Sequence, residues 1–138
     1  MRNLLAAAIA CLAMSFPAWA DEAAVSAARS MIQAQIEAFL AGDDAAAYSH
    51  AAPNIQRIFP NQDSFMRMVR EGYPAVHRPR SFEFGNGQDD GAGAVVQRVE
   101  LIGPDGRRYE AVYTLELQPD GRYRVTGVHL RESQTIGT

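Results

Sequence analysis

Few side chains in this sequence are suited to acid–base or anion chemistry. Its three histidines are His50, His77 and His129. The densest reactive run is YPAVHRPRSFEFG, Tyr73 to Gly85, where His77, Arg78 and Arg80 fall between prolines. In extended backbone Arg78 and Arg80 share one side and His77 the other. Two guanidiniums so placed could fork a carboxylate or a phosphate. They can equally pair with the chain's own acids, and an acidic chain favours that reading. The prolines then make the stretch a stiff entry into a sheet, since Pro74 and Pro79 hold the residues before them extended.

Other chemistries find no support. The histidines lack metal-ligand spacing and the lone cysteine is Cys11, so no metal site is expected, and no cofactor is indicated. The serines lie outside any nucleophile elbow. GNGQDDGAG, residues 85–93, is glycine-rich, but a strand follows it, so the helix N-terminus that would hold a phosphate is missing.

The elements that must position these side chains read in two halves. Val25, Ala28, Ile32, Ile36, Phe39 and Leu40 recur at three- and four-residue spacing and predict a long helix stopped at Gly42. Asp43 or Asp44 caps a short second helix that Pro53 closes. PNIQRIF reads as an irregular turn. NQDSFMRMVREG reads as a third helix, capped by Asn61 or Asp63, with Phe65, Met68 and Val69 inward. After Gly72 the period becomes two. SFEF is a first strand and the glycine-rich stretch a loop. AVVQRVELI, RRYEAVYTLEL and RYRVTGVHL are three long strands.

Gly-Pro-Asp-Gly and Gln-Pro-Asp-Gly join these three strands, each a three-residue loop ending in a glycine bulge. Such turns set the register. Leu101 faces Tyr109, Val99 faces Ala111 and Gln97 faces Tyr113. Across the second turn Leu117 faces Tyr123, Leu115 faces Val125, Tyr113 faces Gly127 and Ala111 faces His129. All of these lie on one apolar face, which must pack on the helices. Small Ala111 and Gly127 beside polar Gln97, Tyr113 and His129 predict a pocket, with Tyr48 or His50 reaching it from the helical wall. The structural alternative carries more weight: Gln97 satisfies the Tyr113 hydroxyl, His129 is a hydrogen-bonded edge residue, and Gly127 marks a β-bulge.

The first twenty residues have the layout of a secretory signal. Arg2 precedes an apolar run, and Ala18-Trp19-Ala20 precedes the acidic pair Asp21-Glu22. The run is too short to span a bilayer, which needs roughly 20 apolar residues. Lipidation at Cys11 is disfavoured, because the flanking residues fit a lipoprotein box poorly. Residues 1–20 are thus expected to be cleaved, leaving residues 21–138 as one periplasmic or secreted bacterial domain. That remainder carries twelve arginines and no lysine against sixteen carboxylates, a net charge of −4. It has no basic stripe, so no nucleic-acid partner is expected.

Helices followed by an antiparallel sheet of about four strands define an α+β class and look like the NTF2-like cone. The segments IQAQIEAFLAGDDAAAYSHAAPNIQRIF, FMRMVREGYPAVHRPRSFEFG, AVVQRVEL and YTLELQPDGRYRVTGV together resemble the bacterial family called domain of unknown function 4864. MVREGYPAVHRPRS is the most specific part of that resemblance. It implies a fold and export but no activity, so no catalytic residue is carried over. Two functions compete, beside a third reading as a purely structural envelope component. One is a non-catalytic envelope module that binds a small ligand or a protein, with a possible homodimer through the charged outer sheet face. The other is a small cofactor-independent isomerase, dehydratase or hydrolase, using His129 or His50 as base and Tyr113 as donor. The absent acid–base pair favours the first.

Overall fold

The apolar spacing of the first half becomes helix, and the turn chemistry of the second half becomes sheet. The computed structural model describes residues 19–133; the expected export signal lies outside them except for its last two residues. Helix α1 spans Trp19–Ala41 and buries Ala28, Ile32, Ile36 and Phe39. Leu40, expected on that face, is 40% exposed, because at 100° per residue it sits about 90° around from the stripe's centre. Gly42, at φ +70°, ends α1 in a Schellman motif: its N–H bonds Phe39 O, and that of Asp43 bonds Ala38 O.

The Asp43 side chain caps α2, Asp44–Ser49, and the Asn61 side chain caps α4, Gln62–Gly72. Two short helices depart from the sequence reading. Pro53 does not merely close the second helix; it opens α3, Pro53–Ile58, where an irregular turn was expected. Pro74 likewise opens α5, Pro74–His77, inside the stretch expected to be extended. The reason is shared: proline at the first helical position gives up an N–H that has no partner there anyway. Tyr73 and Arg78, which flank α5 and each precede a proline, stay out of the helical region.

The sheet is antiparallel in the order β1-β2-β3-β4, with β1 Ser81–Asp89, β2 Ala94–Ile102, β3 Arg108–Leu117 and β4 Tyr123–Glu132. Gly106 and Gly121 take φ +78° and +82° in the two Pro-Asp-Gly turns. The β2–β3 register matches the expectation throughout: Gln97 faces Tyr113, Val99 Ala111, Leu101 Tyr109. Two bulges correct the rest. In β1, Gly85 and Asn86 together oppose Arg98, so the supposed loop continues the strand to Asp89. In β4, Leu115 still faces Val125, but Thr114 then faces Gly127, leaving Thr126 as the extra residue. One extra residue inverts the alternation. Tyr113 therefore faces Val128, not Gly127, and Ala111 faces Leu130, not His129.

The helices cover the inner face. The outer face carries Glu110, which accepts from Arg98 at 2.9 Å and from Arg131 at 2.7 Å. The free edge of β4 is partly covered as well: Val125 exchanges backbone bonds with His50 O and Ala52 N, and Asn54 Nδ2 donates to Thr126 O at 3.0 Å. Among the described residues no helix is long and apolar enough to cross a membrane.

Candidate functional site

The side chains singled out in the sequence do not converge. Gln97 is fully buried and wholly engaged. Its Nε2 donates to Gly85 O at 2.9 Å and to Arg98 O at 2.7 Å, while its Oε1 accepts from Arg29 Nε at 3.0 Å. Arg29 Nη2 reaches the same Gly85 carbonyl at 2.9 Å, and its guanidinium lies 5.7 Å from the centre of the Phe84 ring. A bulge turns carbonyls inward with no ladder partner, and burial requires donors for them. Gln97 and Arg29 supply those donors, so Gln97 ties the β1 bulge to α1.

Gln97 consequently leaves Tyr113 without the partner expected for it. The Tyr113 ring is fully buried, and among the described residues its hydroxyl has no hydrogen-bond partner. Burial pushes its pKa far above the usual phenol value. An unpaired buried hydroxyl costs about 1–3 kcal/mol. Tyr113→Phe is therefore expected to stabilise the fold by about 1 kcal/mol, read as a higher urea midpoint. A lower midpoint would mean that the hydroxyl has a partner after all.

The histidines stand apart from one another. His129 is exposed on the outer sheet face opposite Val112, a correction that follows directly from the β4 bulge. His50 is half-buried, and burial, then Arg124 and Arg122, lower its pKa. His77 packs at 6.0 Å against the Phe39 ring; burial, then Arg78 and Arg70, lower its pKa against an opposing effect of Asp44. A lowered folded pKa means that protonation favours the unfolded chain. Their contribution is complete above the unfolded value of about 6.5 and is lost as pH falls through the lower folded values. The urea midpoint is expected to drop between pH 7.5 and 5, and the His50→Asn, His77→Asn double variant to show a smaller drop.

Arg78 and Arg80 bond different parts of the fold. Arg80 Nη2 donates to Pro104 O at 2.9 Å, and Arg78 Nη1 lies 3.4 Å from Leu40 O at the C-terminal end of α1. Among the described residues neither forms an ion pair, and carbonyls stand where acids were expected as partners. Tyr48 donates its hydroxyl to Phe59 O at 2.6 Å and packs its ring 5.3 Å from that of Phe65.

What these contacts frame is a cavity of about 250 Å³ that sequence reading did not locate. Phe39 of α1, Ile55 of α3, Phe65 and Val69 of α4, Val76 of α5 and Val128 of β4 line it. The β4 bulge shapes its sheet-side wall, since Gly127 and Val128 both border the space. Half-buried Met68, Tyr73 and Phe59 mark its more accessible side. Among the described residues that line it there is no aspartate, glutamate, histidine or arginine. The polar side chains there are Tyr73 and Gln35, the latter 3% exposed with its Nε2 donating to Ala47 O at 3.1 Å. One signal was legible: MVREGYPAV, within the most family-specific segment, contributes Met68, Val69, Tyr73 and Val76.

The family described as Domain of unknown function (DUF4864) matches residues 21–138. No curated protein and no solved structure matches the chain.

Proposed function

The chain belongs to that family, and we propose that it is an exported, non-catalytic module of the NTF2-like cone type that holds a small apolar ligand between its helices and β4. One observation carries this reading: a cavity of about 250 Å³ walled almost entirely by aliphatic and aromatic side chains. Apolar concavities with few polar groups are the usual setting for small ligands. An engineered cavity of about 150 Å³ takes up benzene, so this one suits a ligand of about ten heavy atoms. The rival enzymatic reading needs a base facing the space, and neither His50 nor His129 lines it. Export is supported by the basic, apolar and small-residue pattern of residues 1–20.

Titration of the ¹⁵N-labelled protein with indole tests the proposal. Shifts are expected to concentrate at Val69, Val76 and Val128. Met68→Trp, which places a ring over the accessible side, is expected to weaken indole at least tenfold while leaving the urea midpoint nearly unchanged. Absence of saturable shifts with both indole and benzofuran would end the ligand-binding reading.

A further inference from the structure

Resting on the ligand-binding reading, we infer that the cavity selects neutral molecules that donate a hydrogen bond to Gln35 Oε1. The amide orientation follows from its neighbour. Ala47 O is an acceptor 3.1 Å from one end of the Gln35 amide, so that end is the NH₂ and the other is the carbonyl oxygen. Among the described residues no donor reaches that oxygen. Gln35 as a whole is 3% exposed and borders the cavity, but its Oε1 is not a fully buried orphan as Tyr113 Oη is: it keeps a small accessible surface. A ligand that covers this acceptor without offering a donor leaves it unmet, whereas one bringing an N–H or O–H satisfies it.

Charge narrows the class further. A carboxylate or ammonium entering this space would lose its hydration and meet no opposite charge, since every lining side chain is uncharged. The ligand class is thus a neutral, mostly apolar molecule of about ten heavy atoms with one donor, such as an aromatic amine, phenol or indole-like heterocycle. Tyr73 is the other polar side chain at the cavity, but it is half-buried and water can serve its hydroxyl.

Indole and benzofuran make the test, because they share a shape and differ in an N–H against an ether oxygen. The native protein is expected to bind indole about tenfold more tightly, as benzofuran leaves the Gln35 carbonyl dry and sets a second acceptor in the cavity. Indole-3-carboxylate is expected to bind at least tenfold more weakly than indole. Gln35→Met should bring the indole-to-benzofuran ratio close to one, whereas Tyr73→Phe should preserve it. The ligand comparison on native protein stands even if Gln35→Met fails to fold. Equal affinity for both heterocycles, or loss of discrimination in Tyr73→Phe with retention in Gln35→Met, overturns this inference while leaving the ligand-binding reading intact. Binding of neither heterocycle ends both.

Discussion

Gln97→Leu is expected to cost about 3–5 kcal/mol of folding stability and to lower the melting temperature by on the order of 10–20 °C. The size comes from what is orphaned, not from the volume lost. Leucine matches the shape but removes the Nε2 donor from Arg98 O, leaves Gly85 O with Arg29 Nη2 alone and strips half-buried Arg29 Nε of its acceptor. Each unmet buried group costs about 1–3 kcal/mol, more when it is charged. Gly87→Ala is expected to reach a similar loss by another route. A Cβ there would stand 2.2 Å from Gln97 Oε1 and 2.7 Å from Val25 Cγ1. The end of a glutamine side chain ordinarily moves aside at little cost, but this one is pinned by its hydrogen bonds on both sides. Because both substitutions break one contact network, the double variant should lose at least 1 kcal/mol less than the sum of the two. Unfolding in urea measures all three. A wild-type midpoint for Gln97→Leu would refute the structural role, and changed indole affinity at unchanged stability would restore Gln97 as a ligand-contacting residue.

Phe65→Ala is expected to cost about 3–5 kcal/mol and to enlarge the cavity. Phe65 is 4% exposed, and its ring lies 6.3 Å from that of Phe39 and 5.3 Å from that of Tyr48. Such aromatic neighbours add about 0.5–1.5 kcal/mol each to the area term. The loss should sit in the upper part of that range, because the new void merges with space already present. The same merger should let a larger neutral aromatic such as carbazole bind, when native protein admits only the smaller probes. Phe59→Ala is the internal comparison. Phe59 is half-buried beside the same space, so its truncation should cost clearly less. Equal losses at the two positions would mean that Phe65 is not the central wall residue.

Much of this architecture is local and therefore legible along the chain. The Gly42 stop, the Asp43 and Asn61 caps and the two Pro-Asp-Gly turns each depend on a handful of adjacent residues. The turn between β2 and β3 carried its register without error over nine facing pairs, placing Gln97 and Tyr113 inward. The β3–β4 register held only as far as Leu115 and Val125. Beyond them lies Thr126, whose carbonyl is bound by Asn54 and whose hydroxyl bonds Thr114 Oγ1 at 3.0 Å. Glycine at 127 was the one hint of that bulge, and it also suited a pocket.

By itself, then, the amino-acid order determined the α+β class, the helix boundaries that rest on caps and the parity of the central hairpin, because those choices are made within a few residues. Tertiary structure decided the two bulges, the outward turn of His129, the engagement of Gln97 by Arg29 and the existence of the cavity. Each of these joins segments tens of residues apart: Arg29 to Gln97, Asn54 to Thr126, and α1, α3, α4, α5 and β4 around one space. A bulge forms where distant donors can satisfy its carbonyls, and one extra residue reverses which side chains face the helices. Local spacing carries no record of where those donors lie.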